Sequence, residues 1–126
     1  MGRKKILIID DENLILMTTT LLLKHADMDV VTANGGVEGI ALAEKERPDI
    51  ILLDIMMPEM DGWGVLSRLK ADDRFSGTPV VLFSGDDAAN SRGKALEMGA
   101  SAVFEKPFDS YELINTINGL IEKEGP

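Results

Sequence analysis

Short apolar runs, each the length of one buried strand, alternate five times along this chain with segments whose apolar residues recur every three or four positions. Four runs are clear, at residues 5–9, 50–53, 78–83 and 102–105, and a fifth at 29–32 is weaker. Helical patterns follow each of them, over 13–26, 37–46, 63–71, 88–98 and 111–123. The last is the plainest, with Leu113, Ile114, Ile117, Leu120 and Ile121 on one stripe. Asp109 or Ser110 can cap its start, with Glu112 three residues after Asp109. Turn formers separate the elements: "NGG" at 34–36, "RPD" at 47–49, "PEMDG" at 58–62, "GTP" at 77–79 and "MGA" at 98–100. Strands that read as unbroken apolar runs are buried on both faces, so this alternation predicts an α/β fold, a parallel sheet covered by helices on both sides. Neither a linker nor a repeat interrupts the pattern, and one domain over 1–126 is expected, its core spanning about 5–123.

Composition narrows the class. A chain of 126 residues with 44% hydrophobic and 28% charged residues is globular in character and long enough for a real core. No cysteine is present, which excludes disulfides and thiolate metal sites and agrees with a reducing cytoplasm. The longest apolar runs fall far short of the ~20 residues that span a bilayer. The run after "MGRKK", at 6–9, is too short for a signal peptide, so a cytoplasmic location is expected. A net charge of −9, with the lysines and arginines scattered, argues against direct nucleic-acid binding. Such acidity either serves solubility or places several acids on one spot that wants a cation.

In an open α/β sheet, ligands bind outside the carboxyl ends of the strands, near the point where strand order reverses. The residues there are Asp10 and Asp11 after the first run, Asp54 after the third, Ser84 and Gly85 after the fourth, and Lys106 and Pro107 after the fifth. Each has a plain explanation by itself. Asp10 or Asp11 can cap the first helix, Ser84, Asp86 or Asp87 the fourth, and Lys106 can be a solvated strand end. Together they are harder to dismiss, because carboxylates within ~5 Å repel by roughly 3 kcal/mol per pair at an effective dielectric near 20. One lysine cannot neutralise three acids, and an oxygen-lined site suits Mg²⁺ or Mn²⁺. A carboxylate beside such an ion can attack phosphorus, with metal, lysine and hydroxyl stabilising the phosphoryl oxygens. Gly85 leaves room for that group to approach the backbone.

Four segments, "IIDDEN", "LLDIMMPEMDG", "LFSGDD" and "FEKPFD", in this order and at these spacings, resemble the receiver (CheY-like) domain of two-component response regulators. The resemblance spans about residues 5–123. It implies a flavodoxin-like, doubly wound five-stranded parallel sheet of order 2-1-3-4-5 with five helices. It implies phosphorylation at Asp54, and Mg²⁺ bound through Asp11, Asp54 and the Met56 backbone carbonyl, with Asp10 acting largely through water. Ser84 is then the switch hydroxyl, Lys106 the partner of the phosphoryl group, and the Lys106–Pro107 bond is expected to be cis. The phosphodonor is a sensor histidine kinase or a histidine phosphotransfer protein, and the receiver a monomer or a phosphorylation-dependent dimer. Met56 and Asp86 flank the site at positions that tune phosphoryl lifetime. One departure stands out: receivers usually carry Tyr or Phe three residues before the lysine, whereas this chain has Val103 there and Phe104 beside it. Phe104 should point to the opposite face of its strand, into the core.

The first helix, "NLILMTTTLLLKHA", is apolar on more than one side. A core stripe through Ile15, Thr19, Leu22 and Leu23 leaves Leu14, Met17 and Leu21 as a second row, a candidate docking face for a helical, histidine-bearing phosphodonor. Trp63 is expected near the site mouth, packing at a helix start. "GGVEG" at 35–39 lacks the spacing of a dinucleotide fingerprint, His25 is the one histidine, and the seven methionines read as core filling. Three other readings fit less well. An aspartate-nucleophile phosphohydrolase needs an acid where Met56 stands. A flavin carrier needs a phosphate loop where Asp10 and Asp11 would repel phosphate. A receiver-like module with a dead site would not keep the full set of acids, hydroxyl and lysine. The expected role is a signalling module, free-standing or part of a hybrid kinase or multidomain regulator, that turns over no external product.

Overall fold

Every apolar run becomes a strand in the computed structural model, which describes residues 3–85 and 88–124. The elements run β1 (Lys5–Ile9), α1 (Asn13–His25), β2 (Asp29–Ala33), α2 (Gly36–Glu46), β3 (Ile50–Asp54), α3 (Gly62–Lys70), β4 (Val80–Ser84), α4 (Ala88–Glu97), β5 (Ala102–Glu105) and α5 (Ser110–Glu124). The strands form one parallel sheet in the order β2-β1-β3-β4-β5, as the resemblance implies. Two of the strand boundaries that moved did so for local reasons. β4 starts at Val80 and not at Thr78, because Pro79 has no N–H for the ladder, although its carbonyl already accepts from Ile51 N at 3.0 Å. β3 runs one residue further, because Asp54 still pairs in register with Phe83.

Side chains alternate across the sheet and divide the core in two. Leu7, Ile9, Ile51, Leu53, Val80, Leu82 and Val103 face α2, α3 and α4, where Ala43, Val65, Leu66, Leu69 and Ala95 meet them. Ile6, Ile8, Ile50, Leu52, Val81 and Phe83 face α1 and α5, against Leu16, Leu23, Leu113 and Ile117. β1, β3 and β4 are buried on both faces, which is why their sequences read as unbroken apolar runs.

The phase of α1 differs from expectation. Leu16, Thr19 and Leu23 are its buried residues, whereas Ile15 and Leu22 are only half-buried. With apolar residues around most of the helix, periodicity alone did not select the face; packing on β1 and β3 did. Capping also differs, since Glu12 holds the N-cap position of α1 without a side-chain bond and neither Asp10 nor Asp11 caps it. At α3 and α5 it follows the usual chemistry: Asp61 Oδ1 accepts from Gly64 N at the start of α3, and Asp109 Oδ1 accepts from Tyr111 N and Glu112 N at the start of α5. Gly62 lets the loop after β3 fold back on the strand end, where a Cβ would lie 2.6 Å from Ile55 Cα. Among the described residues, no helix is long and apolar enough to cross a membrane.

Candidate functional site

β1 pairs with β2 on one side and β3 on the other, so the chain reverses its direction of sheet growth there and leaves a crevice at the carboxyl ends of β1 and β3. Asp10 follows β1 directly and Asp54 is the last residue of β3, so the two main strands carry both acids to that crevice. Both are buried, at 1% and 3% exposure, and Ser84 at the end of β4 is buried at 4%. From β5, Lys106 reaches the same point, its backbone N–H bonded to Ser84 O at 2.8 Å.

Lys106 Nζ is the hub of the site. It donates to Asp10 Oδ2 and Glu12 Oε1, each at 2.9 Å, and pairs with Asp54 Oδ1 at 3.3 Å. Asp10 Oδ1 accepts from Glu12 N at 2.9 Å, and Asp54 Oδ1 from Met56 N at 3.4 Å. Burial, reinforced by the neighbouring Asp10 charge, pushes the Asp54 carboxyl up to about 6, with Lys106 and the Met56 N–H pulling the other way. For Lys106, burial disfavours the charged form. Hydrogen bonds to Glu12 and Asp10, with the charges of Asp10 and Asp54, outweigh that and hold the ammonium well above its usual range. The lysine therefore stays cationic at any pH at which the protein works.

Asp10, Glu12 and Asp54 each offer a carboxylate oxygen within 4.8 Å of the others, a hard oxygen donor set that suits a small divalent cation. The structure thus brings together Asp10, Asp54, Ser84 and Lys106 as the sequence suggests, and adds Glu12. Its sequence signal was slight: a third acid after the Asp10–Asp11 pair, two residues from Asp10. Asp11 is exposed and outside that carboxylate group, and Met56 and Pro107 are exposed around the site. Gly85 is exposed too, with nothing within 4 Å of where a Cβ would stand. The Lys106–Pro107 bond is cis. Asp86 and Asp87, considered as helix caps and, for Asp86, as a flanking position, lie outside the described residues.

Around this centre, Val103 is buried against the α2–α4 side while Phe104 turns to the other face, its ring 6.2 Å from that of Phe83. Leu14, Met17 and Leu21 are exposed at 69%, 61% and 64%. Trp63 is half-buried against the core, with Lys94 Nζ of α4 4.3 Å from its ring centroid, so it bridges α3 and α4.

Residues 6–118 match the family model of the response regulator receiver domain. The probable transcriptional regulatory protein TcrX of Mycobacterium tuberculosis is 32% identical over 95% of this chain, which spans only 50% of TcrX. Several other curated relatives are likewise about twice as long as the matched stretch. Protein PilG of Pseudomonas aeruginosa is 34% identical over 97% of the chain, and the match covers 90% of PilG. Among solved structures, the receiver domain of a Francisella response regulator is 28% identical, with a TM-score of 0.91 over 98% of this chain and 100% of that one. A sheet that opens at β1 and β3 onto buried acids and a strand-end lysine agrees with these matches, and the chain belongs to the response regulator receiver domain family.

Proposed function

We propose that this domain accepts a phosphoryl group on Asp54 from a phosphohistidine, and that the group is later lost to water. The observation that carries this reading is the strand-end carboxylate of Asp54, buried, raised in pKa and 3.3 Å from a permanently cationic Lys106. An Asp54 oxygen attacks phosphorus, the P–N bond breaks, and its electron pair stays with the departing imidazole nitrogen. A carboxyl titrating at about 6 is mostly ionised near neutrality and so available as the nucleophile. Lys106 neutralises charge on the phosphoryl oxygens, and the Ser84 hydroxyl, one strand away, donates to them.

The acids fit Mg²⁺, or Mn²⁺. Asp54 would hold it with Asp11 and the Met56 carbonyl, the donors that the family resemblance implies, and Asp10 would act largely through water; the ion would supply positive charge against the charge that accumulates as phosphorus is transferred. Open space beside Gly85 admits the phosphoryl group. The donor is a histidine kinase or a histidine phosphotransfer protein, as elsewhere in this family. Its helix packs on Leu14, Met17 and Leu21, an apolar row on α1 that begins beside the site.

The test is phosphotransfer from a phosphohistidine-bearing donor protein, followed by label on the chain. Label should move to the wild type and not to Asp54→Asn; transfer to Asp54→Asn at the wild-type rate overturns the assignment. Leu14→Glu, Met17→Glu or Leu21→Glu should slow that transfer while leaving labelling by acetyl phosphate unchanged. Equal slowing of both reactions, or of neither, overturns the docking role.

A further inference from the structure

Lys106 is held by more carboxylates than its proposed role in phosphoryl transfer uses. An ammonium has three N–H donors, and here three carboxylates surround it: Asp10 and Glu12 at 2.9 Å and Asp54 at 3.3 Å. A phosphoryl oxygen can recruit Lys106 only by displacing one of these partners. Asp54 itself bears the incoming group. Asp10 is 1% exposed, so parting from the lysine would leave a buried charge short of its counter-charge. Glu12 is different, because its side chain is 58% exposed and water can replace the lost hydrogen bond at little cost.

The backbone prepares Glu12 for this part. Its N–H is tied to Asp10 Oδ1 at 2.9 Å, which sets the residue at the threshold of α1, facing the strand ends. Its side chain makes no capping bond to the helix, and among the described residues its side-chain hydrogen-bond partner is Lys106. We propose that Glu12 is a positioning residue, which anchors Lys106 in the unphosphorylated state and releases it when a phosphoryl group forms on Asp54. The inference rests on reading Asp54 as the phosphoacceptor. It assigns Glu12 to the lysine and not to the cation, although its carboxylate lies near both Asp10 and Asp54. Glu12 therefore works against the phosphorylated state, by as much as its exposed ion pair is worth.

Beryllofluoride, a phosphoryl mimic, provides the test by calorimetric titration at saturating Mg²⁺. Glu12→Gln should bind it about two- to fivefold more tightly than wild type, the range expected from losing one exposed ion pair. In a Lys106→Ala background, the same substitution should leave the affinity unchanged, because the competition acts through the lysine. Without metal, the Lys106 ammonium protons should exchange with water faster in Glu12→Gln than in wild type. Weaker or equal binding by Glu12→Gln overturns the proposal, as does an equal gain with and without Lys106. A wild type that fails to bind beryllofluoride in Mg²⁺ instead removes the phosphoacceptor reading on which the proposal stands.

Discussion

Asparagine at position 54 keeps the shape of the side chain and removes its charge, and in metal-free protein this should stabilise the fold near neutral pH. The Asp54 carboxyl rises from 3.8 to about 6 on folding, chiefly through burial and then through Asp10. A raised acid pKa means that the folded state binds the proton more tightly than the unfolded chain. Stability therefore falls as pH climbs from 3.8 to about 6, and the full penalty stands above that window. A shift of roughly two units corresponds to about 3 kcal/mol at 1.36 kcal/mol per unit, and coupling to Asp10 and Lys106 makes about 1–3 kcal/mol the expected range. Urea unfolding in EDTA reads this directly, as a rise in midpoint on the order of 1 M for Asp54→Asn at neutral pH. The gain should shrink as pH falls through that window and vanish at about pH 3, where both states of the wild type are protonated. Added Mg²⁺ should narrow the difference, because the cation binds the folded wild type and stabilises it by mass action. An Asp54→Asn protein no more stable than wild type at neutral pH, or a gain that persists undiminished in acid, would refute the reasoning.

Other substitutions test how the fold carries the site. Asp27 ends α1 at φ 64°, with Met28 N bonded to Leu23 O and Asp27 N to Lys24 O, so Asp27→Gly should stabilise by about 0.5–1 kcal/mol in thermal or urea unfolding. Gly62→Ala should cost about 1–3 kcal/mol and weaken Mg²⁺ binding, since its Cβ would press on Ile55 Cα, backbone that cannot move aside without shifting Asp54. Lys94→Met should destabilise by about 0.5–1 kcal/mol, and not at all in a Trp63→Leu background, if the cation over the indole ties α4 to α3.

How legible each part was depended on which physical rule set it. Strand alternation has a strict period of two, so Val103 and Phe104 were expected on opposite faces, and they are. The strand-end acids and Lys106 were legible because sheet topology alone brings strand ends together. The face of α1 was not, because Ile15 and Leu16 are equally apolar and only the sheet beneath distinguishes them. Glu12 was missed for a related reason. Its role depends on the turn between β1 and α1, where Asp10 Oδ1 holds the Glu12 N–H and no sequence period applies. Trp63 was expected at the site mouth, but its main polar neighbour comes from a helix thirty-one positions further on, a tertiary contact that no local pattern encodes.

The central claim is that the carboxylate ending β3 receives phosphorus. Intact-mass spectrometry after incubation with acetyl phosphate and Mg²⁺ tests it most directly. A single phosphoryl adduct should form on the wild type, require the metal, release its phosphate on standing, and be absent from Asp54→Asn. An adduct of equal yield on Asp54→Asn, or no adduct on the wild type under those conditions, would contradict it.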